Sequence, residues 1–159
     1  MSQSSIEEAL THGLKSGYGG QTQFQSIDRG GFPLKSSHLK EGNTVYHDEW
    51  TDGGGQELVR VGDRQYTRLY AGGTVGDEVL TSLGITKKDI IDELKRVILE
   101  QGNNTRLHQS CHPAPNNAWA YSYMVLDIDP NVPITIAKES IAFNGRVVFI
   151  HDFLLCPIK

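Results

Sequence analysis

Residues 56–73 read QELVRVGDRQYTRLYAGG, and residues 138–158 read KESIAFNGRVVFIHDFLLCPI. Each stretch opens on a polar residue and a glutamate, alternates through apolar residues to a glycine turn, and climbs back through two aromatics. A period of two is the signature of a strand, and Gly62-Asp63 and Asn144-Gly145 are two-residue hairpin turns. A loop of that length sets register. The first hairpin is expected to place Val61 opposite Arg64, Val59 opposite Tyr66 and Glu57 opposite Arg68; the second, Ile141 opposite Val148 and Glu139 opposite Ile150.

The alternation puts both glutamates on apolar rows, Glu57 with Val59 and Val61, Glu139 with Ala137, Ile141 and Phe143. An ionised carboxylate entering an apolar layer loses several kcal/mol of hydration and must find a cation, a donor, a ligand or a proton. Glu57 is expected to pair with Arg68 beneath Tyr66. Glu139 has no partner within its own hairpin, which makes it the stronger candidate for contact with a ligand.

Working outward, each hairpin pair follows a helix. In SSIEEALTHGLKSG, Ser5 and Glu8 form a capping box, Ile6, Ala9, Leu10 and Leu14 share one face, and Gly17 ends the helix. In GITKKDIIDELKRVILEQG, Thr86 caps with Asp89, Ile85 and Ile90 form a staple, and a stripe runs through Ile90, Ile91, Leu94, Val97, Ile98 and Gln101. Four strands are expected after each helix: PLKSSHLK, TVYHDEW, QELVRV and RQYTRLY, then TRLHQSCH, AWAYSYMVLDI, ITIAKESIAF and RVVFIHDFLL. The expectation is one α+β domain over residues 1–159, built from two α-β-β-β-β pseudo-repeats (about 5–75 and 85–159). Their antiparallel strands would form one continuous or two facing sheets, with two helices packed on one side.

Composition narrows the function classes. The 159 residues carry a net charge of −4, with no basic cluster, helix-turn-helix or zinc-finger pattern for nucleic acid. No apolar run is long enough for a membrane helix, and the first residues, MSQSSIEEAL, are polar and acidic, so a cytoplasmic protein is expected. Cys111 and Cys156 read as free thiols. His38, His47, His108, His112 and His151 are scattered without ligand spacing, and the strongest trio that can be drawn, His108, His112 and Asp127, matches no metal motif; neither metal nor cofactor is expected. The glycine runs at 53–55 and 72–73 lack a P-loop lysine and read as turns and bulges.

Aromatic residues on strands beside polar positions describe a pocket with apolar walls and a few polar contacts. The candidate ligand-binding set is Glu139, Glu57, Arg68, Tyr46, Asp48, Trp50, Tyr70, Trp119 and Tyr121. Taken together, YHDEWTDGGGQELVRVGDRQYTRLYAGG, the helix after it, and WAYSYMVLDID with AKESIAFNGRVVFIHDFLLCPI resemble an uncharacterised bacterial domain family. Its members read as tyrosine-x-aspartate, Gly-Gly, a glutamate strand, a paired strand ending Tyr-x-Gly-Gly, a helix and a second copy. The matching positions are Tyr46, Asp48, Glu57, Tyr70, Gly72, Gly73, Glu139 and Gly145; the chain departs from the pattern at Leu155-Cys156-Pro157, where Gly-Gly is expected. Members occur alone or behind a helix-turn-helix, so the resemblance implies a sensing or effector module. The leading expectation is a small-molecule-binding domain with its cleft between the two halves and Glu139 and Glu57 as polar anchors. The alternatives are a small hydrolase or isomerase using the same two glutamates as general acid and base, and an interaction module acting as a homodimer.

Overall fold

The structure is a computed structural model that describes residues 4–20 and 24–158. The chain is α+β, and its described residues form eight antiparallel strands in one continuous sheet and three helices. Helix α1 (Ser4–Ser16) is followed by strands β1 (Gln25–Arg29), β2 (Phe32–Glu41), β3 (Thr44–Thr51), β4 (Gly54–Val61) and β5 (Arg64–Thr74). Helices α2 (Asp77–Leu83) and α3 (Lys87–Gln101) then precede β6 (Trp119–Ile128), β7 (Thr135–Phe143) and β8 (Arg146–Ile158). The strand order is β1-β2-β3-β4-β5-β8-β7-β6, so the two meanders meet at the β5–β8 ladder.

The first hairpin has the expected register in full, with Glu57 opposite Arg68. The second does not. A bulge after Ile141 sets Ile141 opposite Phe149 and Glu139 opposite His151, one residue beyond the register that the Asn144-Gly145 turn alone dictates. The turn itself has the positive φ angles that favour Asn-Gly, 49° and 78°.

Three elements differ from expectation. Residues 103–118, expected to contribute a strand, are irregular and join β6 through two isolated bridges, Cys111 to Tyr123 and Asn116 to Trp119. Arg106, at φ 60°, turns the chain inward there, and Pro113 and Pro115 remove two ladder donors. Strand β1 is an added edge strand whose side chains lie mostly in solvent. Helix α2 is a third, short helix closed by Gly84 at φ 70°. The strands therefore divide five and three.

One face of the sheet is covered. Ile6, Ala9 and Leu10 of α1 pack on Tyr46, Val59 and Val61, while Ile90, Leu94, Val97 and Ile98 of α3 join Tyr121, Tyr123, Ile141, Phe149 and Phe153 in the larger core cluster. Thr86 and Asp89 form the expected capping box; the Ser5 side chain of the other proposed box lies outside the described residues. Gly13 is where α1 touches the sheet most closely, since a Cβ there would lie 2.1 Å from Tyr46 Cγ. The opposite face leaves Leu58, Leu69, Ile136, Ile150 and Leu154 exposed. Among the described residues no helix is long and apolar enough to cross a membrane.

Candidate functional site

The period-two pattern that carries Glu57 and Glu139 inward delivers both to the covered face, where each is 0% exposed. Arg68, directly opposite, grips Glu57 with two guanidinium nitrogens: Nη2 donates to Oε1 at 2.6 Å and Nε to Oε2. The Tyr46 hydroxyl donates to the same Oε1 at 2.7 Å. Glu139 receives the equivalent set from other elements. Arg106, from the irregular segment, donates through Nε to Oε1 (2.8 Å) and through Nη2 to Oε2 (2.7 Å), and the Tyr121 hydroxyl donates to Oε1 at 2.6 Å. The two clusters are joined, because Arg68 Nη1 donates to the backbone carbonyl of Arg106 at 2.6 Å. Burial by itself would raise the Glu139 carboxyl; the Arg106 guanidinium and the hydrogen bonds outweigh it and hold the group at about 2.

Asp48 is the odd acid in this layer. It sits opposite Glu57 and is 1% exposed, and its bonds to other side chains come from the Tyr70 hydroxyl, 3.1 Å from Oδ1. Gly55 makes that reach possible, since a Cβ there would lie 2.6 Å from the Tyr70 oxygen. Burial, then the neighbouring Glu57 charge, push the Asp48 carboxyl up to about 8, opposed by the Tyr70 hydrogen bond and by Arg68. Near neutral pH it carries its proton.

The open concavity lies beside this layer. A groove of about 760 Å³ runs between the first half of α3 and the sheet end where the β3–β4 turn meets β5. Its walls are Tyr18 and Phe24 from the chain leaving α1, Trp50 from β3, Phe149 from β8, and Ile90, Ile91 and Leu94 of α3. Trp50 packs edge-on with Tyr18 (6.0 Å, 83°) and Phe24 (5.9 Å, 69°). Lys35, Lys87, Lys95 and Asp52 stand along it, and Gly53, Gly72 and Gly73 keep its sheet side low. Two smaller depressions, of about 400 and 490 Å³, lie around Glu7, Asn103 and Leu107 at the other end of α1.

The candidate residues named from sequence thus fall in three places. Glu57, Glu139, Arg68, Tyr46 and Tyr121 form the buried ionic layer, with Asp48 and Tyr70 beside it. Trp50 lines the groove. Trp119 lies on edge strand β6, packed against Phe143 at 4.6 Å. The groove residues Tyr18, Phe24, Lys35, Lys87, Lys95 and Phe149, and Arg106 in the ionic layer, are absent from that set. Tyr18 stands in the sequence as an aromatic next to a glycine pair, but Lys35 comes from β2 and Lys87 and Lys95 from α3, and nothing in the sequence brings those two elements together.

Among the described residues no group of three or more His, Cys, Asp or Glu side chains is arranged to hold a metal ion. No protein-family model, curated protein or solved structure matches the chain.

Proposed function

We propose that the chain is a small-molecule-binding domain whose ligand occupies the groove between α3 and the end of the sheet, where elements from the two meanders face one another. The observation that carries this reading is the groove itself. It has the size of small-ligand sites, apolar walls from four aromatic side chains, and a few charged groups at its margin. The polar anchors differ from those expected. Glu57 and Glu139 already engage guanidinium and phenol donors beneath the surface, so they act as the support on which Tyr46, Asp48 and Trp50 are aligned along β3, and the groove's own charges come from lysines.

A sensing or effector role is the context that the family resemblance supplies. A duplicated origin is part of the same proposal. Tyr70 lies opposite Phe153, with Arg68 opposite Leu155 and Gly72 opposite His151, the arrangement a two-fold axis through the Tyr70–Phe153 pair produces when Arg68 corresponds to His151. Tyr46 stands opposite Val59, two residues from Glu57, as Tyr121 stands opposite Ile141, two residues from Glu139.

A fragment screen read by backbone amide NMR tests the binding reading. Hits are expected to shift Tyr18, Trp50, Gly53, Gly72, Gly73 and Lys95 together. Hits that gather on the outer sheet face or around Asn103, with the groove amides unmoved, would overturn it.

A further inference from the structure

We infer that the groove selects organic anions with a flat aromatic body, such as aromatic carboxylates or sulfonates, over neutral or cationic molecules of the same shape. This rests on the groove being the ligand site and names the class of ligand it takes. The first ground is charge. Three lysines and one aspartate line the groove, two positive charges in excess, in a chain whose net charge is −4. Lys87 is already paired with Asp77 at 3.3 Å. Lys35 and Lys95 are different: among the described residues neither is in a salt bridge, and each ammonium instead stands over a ring of the wall, 5.2 Å from the centre of Phe24 and 5.6 Å from that of Tyr18. Cation–π contacts of this kind hold an ammonium near an aromatic surface while leaving its donors available.

The second ground is the shape and chemistry of the wall. Trp50, Tyr18 and Phe24 form one edge-to-face cluster, Phe149 stands on the sheet side, and Ile90, Ile91 and Leu94 complete the wall, so four of its apolar side chains are rings. Such a surface gains most from a planar, polarisable partner. A ligand with its ring against Trp50 has the lysine heads within reach of an attached acid. A cationic ligand of equal shape meets the ammonium groups of Lys35 and Lys95 with only Asp52 of the groove to offset them, since Lys87 is held by Asp77.

A matched pair of probes tests this: anilinonaphthalene sulfonate and phenylnaphthylamine, which share a ring system and differ in the sulfonate. Both are titrated at low salt against the intact chain, with probe fluorescence and Trp50 quenching as readouts. The sulfonate is expected to bind at least about fivefold more tightly, as two solvent-exposed charge contacts would supply. The double variant Lys35→Gln, Lys95→Gln should bring the two probes to equal affinity, and Ile91→Trp, which fills the groove, should abolish both. Leu69→Gln with Leu154→Gln, on the outer face, should change neither; far-UV circular dichroism and Tm confirm that each variant is folded. Equal affinity for the two probes, with both lost in Ile91→Trp, overturns the anion preference and leaves the groove as the site. A sulfonate preference that survives loss of both lysines also overturns it. Binding that ignores Ile91→Trp and disappears with the outer-face changes removes the groove reading and this inference with it.

Discussion

Replacing Asp48 with asparagine should make the protein less sensitive to alkali. Asp48 is buried, faces Glu57 and accepts from Tyr70, and its carboxyl is raised from 3.8 to about 8. An acid whose folded pKa lies above its unfolded value binds more protons folded than unfolded between those two limits. Stability from that group is therefore complete below about pH 4 and is lost as pH rises through about 8. The ceiling on the slope is about 1.4 kcal/mol per pH unit, so raising the pH from 5 to 8 removes up to about 4 kcal/mol through this one group. That is a large share of the ~5–15 kcal/mol typical of a domain. Asparagine matches the protonated acid in shape, and its amide oxygen still accepts from Tyr70, but it cannot ionise. Urea unfolding of both proteins from pH 5 to 9.5, followed by tryptophan fluorescence, gives the comparison. Near pH 5 the midpoints should lie close together; by pH 9 Asp48→Asn should be the more stable by several kcal/mol. Every other ionisable group is common to both proteins and cancels in the difference. Parallel stability curves across the range would refute the argument that an unbalanced acid is buried at position 48.

At the acid end the sign reverses: Glu139 is held at about 2, below its ordinary 4.5, so its contribution is present above pH 4.5 and is lost as pH falls through 2. Glu139→Gln should accordingly flatten the acid limb of the stability curve and cost about 3–5 kcal/mol at pH 7 by leaving Arg106 buried without its counter-charge, read by urea unfolding. Gly13→Ala should destabilise by about 1–3 kcal/mol in Tm and urea measurements although alanine is the better helix former, because the new methyl would meet the Tyr46 ring. Gly145→Ala, at φ 78° with no atom within 4 Å of the added Cβ, should cost about 1 kcal/mol from backbone strain alone, checked by the same unfolding assay.

Legibility from sequence followed the range of each interaction. The hairpin at Gly62-Asp63 was readable to the residue because turn length, alternation and the Glu57–Arg68 pairing all act within twelve positions. The capping box of α3 was readable for the same reason. Strand β1 was not: its residues are exposed on both faces and are held by ladder hydrogen bonds to β2, so no apolar period announces it. The bulge after Ile141 was invisible because the Asn-Gly turn by itself specifies a regular ladder, and the shift at Val148 answers to packing. Arg106 could be required but not found. A buried carboxylate at 139 demands a cation, yet nothing in the spacing singles out an arginine 33 residues earlier in a segment that reads as a strand. The groove is the extreme case, since Lys35, Lys87 and Lys95 meet only once β2 and α3 are in place.

The ionic layer also bears on why the two meanders dock in one way. The outer face of the sheet is aliphatic at Leu58, Leu69, Ile136, Ile150 and Leu154, so a strand displaced by one residue would still bury apolar side chains and lose little by that measure. The inner face is less forgiving. A one-residue slip of β4 against β5 separates Glu57 from Arg68, and a slip of β7 takes Glu139 away from Arg106 and Tyr121; each leaves a charge in the core without a partner, at several kcal/mol. Buried ion pairs contribute little net stability compared with well-packed hydrocarbon, but they penalise every wrong register heavily. Because Arg68 also holds the Arg106 carbonyl, the penalty reaches across the β5–β8 ladder and couples the two meanders. The ends of β3 and β5 that carry Trp50, Gly72 and Gly73 into the groove are aligned by the same restraint. Exchanging Glu57 and Arg68 together for leucine and methionine should therefore preserve much of the stability while broadening the amide spectrum of β4 and β5, whereas a sharp, unchanged spectrum would show that hydrophobic packing alone sets the register.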